Sequence, residues 1–226
     1  MHIEPGIVEG GKILLSYATA AAAVGYGAKL VADTLRRDGI ISLALRAVIA
    51  TALVFAFFEV LPTREVGVSE VHLILGSTLL LLFGAGPTAI GLALGLLVQS
   101  VFFAPDDLPQ YTMNVTTLLV PLFVIAALAR RIVPADTAYV DLRYSQVFKL
   151  SLAYQGGIVT WVAFWAVYGQ GVGAENLQSV LTFGAAYMLV VVLEPLVDLA
   201  VLGAAKALHQ LKGSIAVDKR LYEAAS

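Results

Sequence analysis

Thr112 to Ile132 reads TMNVTTLLVPLFVIAALARRI. Beyond Asn114 this run holds no ionisable side chain until Arg130-Arg131 closes it. A helix of that length rises roughly 30 Å, the thickness of a bilayer's hydrocarbon core. Two arginines at one end mark the cytoplasmic side of such a helix. The same reading, carried outward, finds six more apolar stretches, at about 12–32, 40–61, 69–83, 87–104, 146–168 and 177–208. Arg36-Arg37-Asp38-Gly39, Pro62-Thr63-Arg64-Glu65, Gly84-Ala85-Gly86-Pro87, Pro105-Asp106-Asp107-Leu108-Pro109 and the segment 169–173 separate them. The stretch 69–83 is short for a full crossing. It is expected to begin at headgroup depth or to be partly re-entrant and shielded by its neighbours.

Composition agrees. Of the 226 residues, 59% are hydrophobic and 13% charged, whereas a soluble domain is near half apolar and about a quarter charged. The chain therefore reads as an all-α membrane protein, a polytopic bundle of about seven transmembrane helices. One domain fills residues 1–226, with a short N-terminal tail (1–11) and a C-terminal tail (209–226). The lipid bilayer is its solvent. A net charge of −2 argues against a nucleic-acid partner, which requires a basic stripe. The absence of cysteine excludes disulfides and thiolate metal sites.

Lysine and arginine set the orientation. With seven spans the termini fall on opposite sides. Lys12 and Arg64 are the basic residues of the N-terminal side, and the other 12 of the 14 lie on the opposite side. The N-terminus is thus expected outside and the C-terminus in the cytoplasm. Residues 1–11 carry Glu4 and Glu9 but no Lys or Arg, so they lack the basic start of a signal peptide and are expected to be retained from Met1.

Three histidines occur, His2, His72 and His209. A free α-amine, the amide nitrogen of residue 2 and Nδ1 of a histidine there lie on consecutive chelate rings. They can take three corners of a square, an arrangement that favours Cu(II) or Ni(II) and admits Co(II). His72, near the outer start of the third stretch, can supply the fourth. Gly6, Gly10 and Gly11 permit the tail to fold back. The plainer alternatives are an exposed tail residue for His2 and an interfacial ring for His72. His209 falls in the basic tail, on the wrong side for this site.

Gln99 and Asn114 lie at the depth of His72, where they can orient the imidazole or the tail, or simply bond between helices. Glu59, Glu65, Glu70, Asp106 and Asp107 crowd the outer side. Glu194 and Asp198, four apart in the last stretch, are functional candidates because acids within a membrane are costly. They are expected to contact a polar neighbour or a partner subunit rather than the ion. Ala18, Ala22 and Gly25 belong to a small-residue face of the first stretch, suited either to packing inside the bundle or to a partner interface. No enzyme constellation is present. Gly84-Ala85-Gly86 is no phosphate loop, because no strand precedes it and no lysine follows.

Met1-His2-Ile3 with Gly6, His72 with Leu75-Gly76, Gln99, and Asn114 preceded by Met113 resemble the CbiM/NikM family over most of the chain. These are the metal-binding substrate-capture (S) components of energy-coupling-factor transporters for cobalt and nickel. The resemblance implies an ion held by the amine of Met1, by His2 and by His72. It implies no prosthetic group, only Co(II) or Ni(II) as cargo. It further implies a transmembrane coupling (T) subunit, two cytoplasmic ATPase subunits, often a small accessory membrane subunit, and residence in the bacterial cytoplasmic (inner) membrane. The competing readings are an S component for an organic vitamin, and a proton-coupled carrier or intramembrane enzyme using Glu194 and Asp198.

Overall fold

Gly39 divides what would otherwise be one 47-residue helix. In the computed structural model, which describes residues 3–61 and 64–224, helix α1 (Ile13–Glu59) is interrupted there at φ 79°, ψ 168°, a conformation that costs least without a Cβ. Unbroken, α1 would extend about 70 Å, more than twice the hydrocarbon core. Each side of Gly39 is long enough for one crossing, and the contacts show the chain reversing. The Ser16 and Thr112 hydroxyls share a hydrogen bond of 2.7 Å near one end of the bundle, and Phe58 meets the His72 ring edge-on near that end. Asp38 and Arg46 pair at the other end.

Among the described residues, five helices are long and apolar enough to cross a membrane: α1 with its lead-in from Gly10, α3 (Ala85–Phe102), α4 (Tyr111–Ile132) with its lead-in from Pro105, α5 (Tyr144–Gln170) and α6 (Ala174–Ala207). Glycines set the closest approach. Gly91 lies against Ala50 and Gly95 against Val54, with no room for a Cβ at either, so α3 runs parallel to the second half of α1. Gly157 likewise makes room for Pro121 of α4.

The stretch at 69–83 differs from a membrane helix. Strand β2 (Ser69–Val71) pairs antiparallel with β1 (Arg64–Val66), in the register Arg64↔Val71, Glu65↔Glu70 and Val66↔Ser69. Gly67 turns the hairpin at φ 65°, against the Ser179 backbone. Only Gly76–Phe83 is helical (α2). Eight residues rise about 12 Å, too little to span. All but Leu82 of these eight are buried, as an element apolar on every side must be. The segment is shielded by its neighbours but is not re-entrant: it begins at the hairpin end, where His72 meets Phe58, and ends beside Arg46, which donates to the Phe83 carbonyl.

The C-terminal tail is packed rather than solvated. The amide of Asp218 donates to the Leu82 carbonyl at 2.7 Å, the Ser42 hydroxyl to the Ile215 carbonyl at 2.8 Å, and the Arg220 guanidinium to the Pro134 and Ala135 carbonyls, each at 2.7 Å. Arg46, buried, pairs with Asp38 and with Asp218 (3.1 Å) and donates to the Phe83 carbonyl at 3.0 Å. This cluster ties the tail to the Gly39 break and to the Gly84 turn between α2 and α3.

Candidate metal centre

Met1 and His2 lie outside the described residues. The next residue, Ile3, is fully seated. Its amide donates to Asn114 Oδ1 at 2.8 Å, and it forms an antiparallel bridge with Ser69 of β2. The Glu4 amide follows, donating to the Val68 carbonyl at 3.4 Å. The tail thus runs beside the hairpin, using backbone groups that an edge strand leaves open. Ile3 and Val8 bury their side chains with Met113 and Trp165. Gly6 (φ 90°) and Gly10 (φ 58°) take the left-handed conformations that fold the tail back. Gly11 does not. Lys12 closes the segment onto the α5 end, donating to the Gly169 carbonyl at 2.7 Å.

His72 follows β2 directly and is 2% exposed. Its Nε2 lies 2.7 Å from Glu70 Oε2. The Phe58 ring meets it edge-on at 5.3 Å between centroids, and its carbonyl accepts from the Tyr187 hydroxyl at 3.3 Å. Asn114, in the first turn of α4, holds the tail through Oδ1, and its Nδ2 is buried without a hydrogen-bond partner among the described residues. Gln99 is also buried at this end, about one turn beyond the Gly95–Val54 contact. Its side chain reaches neither His72 nor Asn114 by a hydrogen bond among the described residues. Of the two amides, Asn114 is the one that bonds a described residue of the tail.

Carboxylates rim the site. Burial chiefly, and after it the neighbouring Glu65, Glu70 and Asp107 charges, pushes the Glu4 carboxyl above the ordinary range. Such a concentration of acids attracts cations toward the hairpin. Among the described residues no three His, Cys, Asp or Glu side chains gather as a ready metal cage.

Glu194 and Asp198 belong elsewhere. Both are fully buried in α6. Ser77 Oγ donates to Glu194 Oε1 at 3.1 Å and approaches Asp198 Oδ2 at 2.8 Å, while Thr78 Oγ1 bonds Asp198 Oδ1. The polar neighbour expected for this pair is the start of α2 in the same chain. The small-residue face divides in two. Ser16, Ala20, Ala23 and Gly27 are buried in the bundle, whereas Ala18, Ala22 and Gly25 are exposed, beside an apolar groove of about 260 Å³ whose lining includes Tyr26, Phe123 and Trp161.

Two features escaped the sequence reading. Ser77 and Thr78 carried no signal by themselves. Glu70 carried one that a helical reading hides, because residues two apart share a face only on an extended chain.

Comparison with known proteins returns no match among curated proteins or solved structures. A family described as the cobalt uptake substrate-specific transmembrane region matches residues 2–210. Its membrane-uptake character agrees with the apolar helices. The chain belongs to this family, CbiM, and is a multi-pass transmembrane component of cobalt uptake.

Proposed function

We propose that the chain captures Co(II), or Ni(II), from outside the bacterial cytoplasmic membrane, as the S component of an energy-coupling-factor transporter. The ion is held by the Met1 amine, the His2 amide and imidazole, and the His72 imidazole. The observation that carries this reading is the seat of Ile3. The residue that follows His2 in the chain is hydrogen-bonded to Asn114 and bridged to Ser69, three residues before His72. The family description favours cobalt as the cargo.

In this reading the hairpin end faces outward and the Arg46–Asp218 end faces the cytoplasm, consistent with Arg130-Arg131 closing α4. Transport then requires a coupling T subunit and two cytoplasmic ATPases, with a small accessory membrane subunit in some assemblies. The test compares metal stoichiometry in N-tagged and C-tagged protein of equal purity and folding. An N-terminal extension removes the free amine and leaves every side chain in place, so it should abolish tight binding. A C-terminal extension should not. Full, tight loading of the N-tagged form would rule out the amine as a ligand.

The exposed Ala18, Ala22 and Gly25 form the face we assign to the T subunit, because small residues permit close helix approach. Ala22→Leu is expected to disrupt co-purification with the T subunit while leaving metal affinity intact. Unchanged co-purification would place the partner elsewhere.

A further inference from the structure

We propose that Glu70 is the positioning residue for His72: its carboxylate accepts the Nε2 hydrogen and so selects the ring tautomer that leaves Nδ1 as the electron-pair donor to the ion. This rests on the reading of His72 as a metal ligand. The Nε2–Oε2 distance is 2.7 Å, at the short end for N–H···O, where charge-assisted bonds fall. A neutral imidazole carries one N–H. With an ionised carboxylate at Nε2, the hydrogen resides there and the lone pair is on Nδ1.

The backbone brings the two side chains to one face. Glu70 is locked opposite Glu65 in the hairpin, and Ser69 opposite Val66. Two residues further along the extended chain, His72 comes to the same face as Glu70. The ring is confined further by Phe58 against its edge and by the Tyr187 hydroxyl on its own carbonyl. The Glu70 side chain keeps 22% of its surface exposed while that of His72 keeps 1%, so the carboxylate retains water on one side and holds the buried ring on the other.

Nε2 and Nδ1 lie on different edges of the ring. A carboxylate at Nε2 therefore stands away from an ion at Nδ1, and its contribution passes through the imidazole. Carboxylate–histidine–metal relays of this kind typically change metal affinity by about 10–100-fold when the outer partner is removed.

The test is Co(II) titration of protein with a free N-terminus, joined to ¹⁵N spectra of the histidine rings without metal. Glu70→Ala is expected to weaken binding about 10–100-fold, and Glu70→Gln, which keeps an acceptor oxygen, to weaken it less. In a His72→Ala background, Glu70→Ala should add no further loss, because the two act as one unit. The His72 ring should be the Nε2–H tautomer in the natural chain and a mixture in Glu70→Ala. An unchanged tautomer in Glu70→Ala, or losses that simply add, would overturn the proposal and leave Glu70 as a hairpin residue. Weakened binding in His72→Ala with none in Glu70→Ala would overturn it while the ligand reading stands. Natural affinity in His72→Ala would instead remove the ligand reading itself.

Discussion

In the His2→Ala variant, tight Co(II) and Ni(II) binding is expected to disappear. The substitution removes an imidazole and a chelate ring together. His72→Ala should weaken binding but leave the tail chelate in place. Asn114→Ala should cost roughly 10–100-fold, because it releases the Ile3 amide that Oδ1 holds. Affinity in the natural chain should fall steeply as pH drops below about 7, since the amine and both imidazoles must be unprotonated to bind. The fall should be shallower in His72→Ala, which has one proton fewer to displace. Calorimetric titration across pH on the three variants is the measurement. Natural affinity in His2→Ala would exclude the proposed donor set.

Arg46→Met is expected to be the most destabilising single change at the opposite end of the bundle. Arg46 is 1% exposed and serves Asp38, Asp218 and the Phe83 carbonyl at once. Its loss leaves two buried carboxylates with the half-exposed Arg37, 2.9 Å from each, as their closest cation, and breaking a buried ion pair by removing one partner costs up to about 3–5 kcal/mol. Converting both acids to amides alongside it, as Asp38→Asn, Arg46→Met and Asp218→Asn together, should recover most of that loss, because the charge left without its partners is then that of Arg37, whose side chain is 55% exposed to water. Thermal unfolding of the detergent-solubilised proteins would show it. Equal destabilisation of the single and the triple variant would mean that Arg46 acts through packing rather than charge.

Much of this architecture was legible in residue order because lipid imposes a simple rule. A crossing segment must satisfy its own backbone and stay apolar for its whole length, so α3 to α6 announce themselves within a few residues of their observed limits. Gly39 and the Gly84 turn are equally local. Each needs a backbone conformation in which glycine is cheapest, and the charges before Gly39 mark a membrane boundary.

The hairpin was not legible. Ser69, Val71 and Leu73 to Leu75 are apolar or small enough to pass for the start of a membrane helix. On a helix, Glu70 and His72 would diverge by roughly 200°. What makes them neighbours is pairing with β1 and with Ile3, and pairing is a long-range property that periodicity does not report.

By itself, the sequence determined that this chain is built for a bilayer and where its long helices break. Those properties follow from local hydrophobicity and backbone freedom. Only the tertiary structure decided that Ile3 docks on Asn114, 111 residues away, that Asp218 neutralises Arg46, 172 residues away, and that Ser77 and Thr78 meet Glu194 and Asp198. Buried polar and charged groups must find partners wherever the fold brings them, and which partner each one finds is set by packing between distant elements.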